Sequence, residues 1–357
     1  MTIMKYVKGL LVCLLLITLP LNTSAASNST SFNDVQQDSW SYPYIKFLSE
    51  RGIITGYPDG TFKPNSPINR LQAATMLTRA LSVDTSYYSA PYYEDVNERT
   101  YGYPVIATST DEGWFDFIAD ENFGAGKVVT RGDMAALLSR SFSLPNHPEY
   151  YFQFSFNDVL QRYWAIEHIE ALAFNNIVEG YDDGTFRPHN PVTRAQFSKM
   201  VYLAMQQSQD TLVMNHNLKD YLEGYLGYSV SNEDLLYLYE IDFMESGVTS
   251  LRGIEYARNL ETVDLTYSSI YNLMPLKAIP NLNHLTLGDY NIDYKISEQL
   301  SQLDQIESLN LTLSSVSDYA FIGKMTNLVE VDLSSTNLTY SEIMRLEGSY
   351  PYIHFIY

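Results

Sequence analysis

At 357 residues the chain has room for two or three domains, and its 45% hydrophobic and 18% charged residues describe globular material, not disorder. A formal net charge of −20 excludes a bulk electrostatic footprint for nucleic acid. The single cysteine, Cys13, excludes a disulfide framework and thiolate metal sites.

Lys5 and Lys8 precede an apolar stretch from Gly9 to Leu21, and the small residues Ser24, Ala25 and Ala26 follow. That order is the plan of a secretory signal peptide, expected over residues 1–25 with cleavage after Ala25 or Ala26. The stretch is shorter than the about 20 residues a spanning helix needs. An uncleaved N-terminal anchor is the alternative. Leu11 and Val12 before Cys13 are not the small pair of a lipoprotein signal. Cleavage removes Cys13, Lys5 and Lys8, so the charge goes from −20 to −22. The mature protein is expected to be secreted, free of thiols and without membrane contact. Its 30 tyrosines, against 16 Phe and 3 Trp, suit wet recognition surfaces, because each carries an apolar body and a polar tip.

Three 50-residue segments then align without a gap: 32–81, 93–142 and 156–205. The first and third open Phe-Asn-Asp-Val and the second opens Tyr-Glu-Asp-Val. Asp34, Asp95 and Asp158 each stand 36 residues before an arginine: Arg70, Arg131 and Arg194. Six residues after each Asp comes a ring, Trp40, Tyr101 and Trp164. Each segment reads as helix, loop, helix. In the third, Tyr163 to Phe174 has apolar residues at helical spacing, Gly180 to Pro188 is turn chemistry, and Thr193 with Gln196 forms a capping box for a helix from Arg194 to about Met205.

The motifs F-x-D-V, G-Y-x-D-G-T-F-x-P and T-R-A-[EQ] resemble the S-layer homology domain. Repeat three carries them as Phe156 to Val159, Gly180 to Pro188 and Thr193 to Gln196; repeat one has Asn69-Arg70-Leu71-Gln72 at the last. Repeat two departs most, with Tyr101 for Trp, Phe117 to Ala125 for the glycine loop, and Thr130-Arg131-Gly132-Asp133. The resemblance implies an all-α pseudo-trimer with grooves between repeats. It also implies binding of peptidoglycan-linked secondary cell-wall polysaccharide, which often carries pyruvate ketals. Arginine suits a carboxylate because its fork is bidentate. The expected glycan contacts are Asp34, Trp40, Arg70, Asp158, Trp164 and Arg194, with Asp95, Tyr101 and Arg131 as second-rank candidates in the altered repeat. The competing reading gives the aspartates to helix caps and the rings to the core.

After a polar linker at 206–216 the periodicity changes. L-x-x-[LIV]-x-[LF] begins at Leu238, Leu260, Leu282, Ile306 and Leu328, at spacings of 22, 22, 24 and 22. This is leucine-rich-repeat arithmetic, and Gly247 to Leu260 resembles the internalin-like class. The expectation for 217–357 is a short α/β solenoid, with a helical cap over 217–236, Ser231 as an N-cap and a last strand around Ile353 and Ile356. The usual asparagine ladder is absent, its column holding Ser268, Tyr290, Ser314 and Thr336. Residues between the apolar strand positions face the concave side and are small, polar and acidic. That face lacks the Trp, Tyr and Arg of strong hot spots. A weak protein partner is expected through Asp242, Asp264 and Asp332, or at an edge through Tyr267 and Tyr290.

No H-E-x-x-H, G-x-S-x-G or phosphate loop occurs, and the six histidines have no metal spacing. The function expected is therefore non-catalytic wall anchoring with no cofactor and no metal. A wall-anchored enzyme acting on wall polysaccharide and an S-layer subunit are the alternatives.

Overall fold

The computed structural model describes residues 32–145, 156–208 and 213–357. The signal peptide expected over residues 1–25 lies outside them, as does part of the 206–216 linker.

Six helices come from the three repeats: α1 (Tyr42–Glu50), α2 (Arg70–Ala80), α3 (Tyr103–Asp111), α4 (Arg131–Ser141), α5 (Ile166–Phe174) and α6 (Arg194–Gln207). Asn69, Thr130 and Thr193 cap α2, α4 and α6 through reciprocal capping boxes with Gln72, Asp133 and Gln196, satisfying two orphan donors at each start. The helix expected from Tyr163 begins at Ile166 instead. Tyr163 is held in a turn by its N–H to the Leu160 carbonyl.

The second helix of each repeat packs on the first helix of the next: α2 on α3, α4 on α5, and α6 back on α1. Backbone bonds close the same circuit. Val129 donates to Ile68, Ile68 to Val192, and Val192 to Val129, at 2.9 to 3.0 Å. All three side chains are fully buried.

The rest of the chain is built on α7 (His216–Leu226) and eight short strands: β1 (Glu240–Asp242), β2 (Thr262–Asp264), β3 (His284–Thr286), β4 (Asn291–Ile292), β5 (Ser308–Asn310), β6 (Ser315–Val316), β7 (Glu330–Asp332) and β8 (His354–Ile356). Helix α8 (Tyr294–Leu300) follows β4 and α9 (Tyr340–Ser349) follows β7. Strands β1, β2, β3, β5, β7 and β8 form one parallel sheet in that order, and β4 pairs with β6. Register places Asp242, Asp264, Thr286, Asn310 and Asp332 in one row, so each turn of the chain advances one strand. The middle residues Ile241, Val263, Leu285, Leu309 and Val331 are buried. Helix α7 covers the first face, burying Leu218 and Leu222. Its cap is Asn215, while the Ser231 hydroxyl accepts the Asp234 N–H and the Ser231 N–H donates to the Asp234 carboxylate at the start of a 3-10 turn over Asp234–Tyr237.

The missing asparagine ladder has a substitute. The Tyr290 hydroxyl pairs with the Ser268 hydroxyl and donates to the Ile270 carbonyl, and the Ser314 hydroxyl accepts from the Tyr290 N–H and donates to the Leu287 carbonyl. Tyr290, expected as an edge contact, is therefore an interior residue, 8% exposed.

The two halves meet at repeat two. Glu112 is buried, accepting from the Ser250 hydroxyl at 2.7 Å and from Arg252 Nε at 2.7 Å. Arg252 also donates to the Ser141 and Met214 carbonyls, and Asn215 Nδ2 donates to the Glu112 carbonyl. Gly253, at φ +104°, lets the backbone pass Met214; a Cβ there would lie 2.0 Å from Met214 Cβ.

Candidate functional site

The Asp and Arg columns do not meet as side chains. Asp34 accepts the N–H groups of Phe62 and Lys63 at 2.7 Å each; Asp95 accepts those of Phe123 and Gly124, and Asp158 those of Phe186 and Arg187. Each carboxylate thus pins its own repeat's loop with both oxygens. The pinned residue is where an arginine from the preceding repeat lands. Arg70 Nη1 donates to the Phe123 carbonyl, Arg131 Nε to Phe186 and Arg194 Nε to Phe62, the last also reaching Thr55 at 3.2 Å through Nη2. All three arginines are 5–6% exposed.

Two grooves result, each assembled from all three repeats. The first, about 570 Å³, is lined by Tyr57, Gln72 and Arg79 of repeat one, Tyr101 of repeat two and Arg194 of repeat three. The second, about 440 Å³, is lined by Tyr181, Gln196 and Lys199 of repeat three, Trp40 of repeat one and Arg131 of repeat two. The two correspond position for position: Tyr57 with Tyr181, Gln72 with Gln196, Arg194 with Arg131, Tyr101 with Trp40. Each buried guanidinium lies over two rings, Arg194 at 5.1 Å from Tyr57 and 4.4 Å from Phe62, Arg131 at 5.0 Å from Tyr181 and 4.5 Å from Phe186. Desolvation draws both below the ordinary arginine value, and arginine's high starting point keeps them cationic. The ring at each lip, Trp40 or Tyr101, is 57% or 89% exposed.

Repeat two carries a ring at the corresponding position. Gly56 and Gly180 stand in the open grooves where repeat two has Phe117, whose ring stacks on Trp164. Ile118 replaces the groove tyrosine and Asp133 the groove glutamine. Trp164 and Arg70, expected in the foremost glycan set, line neither groove. Tyr101 and Arg131, placed second, line one each. Gln72, Gln196, Arg79 and Lys199 were missed, although the first two sit in the quoted T-R-A-[EQ] motif. In the solenoid, Asp242, Asp264 and Asp332 each accept an N–H two residues on, ending their strands; Tyr267 is half exposed.

Among the described residues no helix is long and apolar enough to cross a membrane. Comparison with known proteins identifies the repeats. Residues 31–74 and 155–198 match the S-layer homology domain, and the matches overlap the first and third 50-residue segments. The chain is 31% identical over 219 residues to an endoglucanase of Bacillus sp. (strain KSM-635), an alignment covering 55% of this chain and 22% of that one. It is 28% identical over 178 residues to S-layer protein EA1 of Bacillus anthracis, covering 50% and 20%. The chain therefore spans about a fifth of the length of either relative. Internalin C2 of Listeria monocytogenes aligns at 23% identity with a TM-score of 0.33, covering 39% of this chain and 62% of that one. The repeat fold of the second half rests on its own strand register. The matches to S-layer homology domains and to an S-layer protein mark this as a cell-surface protein.

Proposed function

We propose that the helical half, residues 32–205, forms a pseudo-threefold unit that grips an acidic secondary polysaccharide of the wall in two grooves. Carboxylates such as pyruvate ketals are the groups recognised. The solenoid over 217–357 is carried outward to meet a protein partner, and no catalytic step is assigned to either half. The observation that carries the reading is the matched pair of grooves, each with a buried arginine, a second cation (Arg79 or Lys199), a glutamine and an exposed ring at the lip. Cations answer carboxylates, and a flat ring answers the apolar face of a sugar. At about 8 Å, the Debye length at physiological salt confines the repulsion between an acidic protein and an acidic polymer to short range, so these local cations decide.

The test is retention of purified protein on wall sacculi, before and after the secondary polymer is stripped. Stripping is expected to lower retention, and so is the double substitution Arg79→Ala, Lys199→Ala on intact sacculi. Retention unchanged by both would overturn the proposal.

A further inference from the structure

A third large opening lies away from the grooves, where the helical repeats meet the solenoid. It holds about 680 Å³, within the range of roughly 300–1,000 Å³ common for small-molecule sites, which favour domain boundaries. Its walls have three origins. The connector between repeats one and two supplies Tyr88, repeat two supplies Glu98 and Tyr103, and the solenoid supplies Tyr271, Asp293 and Lys295.

Each wall is fixed in place. The connector is held by the Ser89 N–H on Asp111 at 2.7 Å and by Gln302 on the Tyr87 hydroxyl at 3.5 Å. The Tyr271 hydroxyl donates to Asp293 Oδ2 at 2.5 Å, and the Tyr271 carbonyl accepts from Gln299 at 3.0 Å. Asp293 Oδ1 caps α8 through the Ile296 N–H. The Glu112–Arg252 pair holds the two halves together. The cleft is thus pre-organised across the domain boundary, which lowers the ordering cost of binding.

Its chemistry differs from that of the grooves. Tyr88 and Tyr103 meet edge to face at 5.5 Å, and Lys295 Nζ stands 4.5 Å from the Tyr88 ring centre. The lining carries two carboxylates and one ammonium, a balance that disfavours a polyanion. A phenol on every wall and charges on two of the three disfavour an acyl chain. Tyrosine rings offer apolar faces and hydroxyls together. A carboxylate oxygen carries further lone pairs for sugar hydroxyls or an amide N–H, and an ammonium donates to an amide carbonyl. An acetamido group needs both.

We propose that this cleft binds a saccharide of N-acetylated amino sugars, as a glycan site separate from the two grooves. The inference rests on the wall-anchoring reading only for where such a sugar would be met. The test is calorimetric titration of the N-acetylglucosamine tetramer into the full chain. The expected result is saturable binding at one equivalent, weakened about tenfold or more by Tyr88→Ala and by Lys295→Ala. The double variant Arg79→Ala, Lys199→Ala is expected to bind it unchanged. Should Tyr88→Ala lose its fold, Lys295→Ala decides alone. Absence of saturable binding overturns the inference, as does binding indifferent to Lys295→Ala or abolished by the groove double variant. Sacculus retention unchanged by stripping and by the groove double variant, with tetramer binding intact, strikes the groove reading and leaves this one standing.

Discussion

The ring of Phe117 lies on that of Trp164, centroids 5.1 Å apart and planes 21° from parallel. Those two residues separate repeat two from its neighbours. Trp164 stands where Trp40 and Tyr101 project over open grooves, but Phe117 lies on one of its faces and the residue is 48% exposed. Phe117→Gly is expected to uncover it, at a cost of about 0.5–1.5 kcal/mol for the lost ring pair. In a Trp40→Phe background, where Trp114 is fully buried and shielded, acrylamide quenching of Trp164 should rise. Unchanged quenching would mean that the space collapses instead of opening.

Asp34 serves the grooves at one remove. It holds the N–H of Phe62, whose carbonyl receives Arg194. Asp34→Ala should cost about 2 kcal/mol in denaturant unfolding, since two amides lose a charged acceptor near the surface. Asp34→Asn, which keeps one acceptor oxygen, should lose about half as much. If both variants matched wild-type stability yet lost wall retention, Asp34 would be a direct ligand contact.

Glu112 is the central acceptor of the domain junction. Glu112→Ala leaves Arg252, 14% exposed in its side chain, without its carboxylate. The expected loss is about 3–5 kcal/mol, as for one partner removed from a buried pair. Calorimetry should show the solenoid and the helical half melting separately in this variant, and a single transition with unaltered midpoint would refute the role.

Asp111 sets a pH dependence beside that junction. Burial raises its carboxyl pKa to about 7. The folded protein therefore holds a proton that the unfolded chain releases near pH 4, and this group's contribution to stability falls as pH rises from 4 to 7. His168 works in the opposite sense: burial lowers it to about 4, and its contribution is lost as pH falls from 6.5 toward 4. Comparing Asp111→Asn with wild type isolates the first effect. The melting-temperature advantage of the variant should grow from pH 4 to 7 and level off above, and a constant difference would exclude it.

Much of the scaffold was legible because it is periodic. The Asp-to-Arg spacing of 36, the Thr193–Gln196 capping box and the solenoid spacings all mark real elements. The grooves were less legible because each takes residues from three repeats. Arg194 reaches Phe62 across 132 positions, and a column of arginines does not say whose loop each one touches. Phe117 read as a degraded loop residue because its partner lies 47 positions on. Tyr290 read as an edge because a tyrosine in a ladder column looks the same whether its hydroxyl meets water or a serine. Glu112, at the end of a helix in an acidic chain, carried no signal that a serine and an arginine 138 and 140 residues later would bury it.

The circuit of backbone bonds through Ile68, Val129 and Val192 has a consequence for how the protein is made. Thr55 and Phe62 receive their arginine only from repeat three. A chain emerging from synthesis or translocation with its N-terminus first presents repeat one long before that arginine arrives. The first loop stays unlatched until residue 194 is through, and the groove that Arg194 lines comes into being late and all at once. A molecule halted midway has no finished groove, and so nothing for a groove ligand to find.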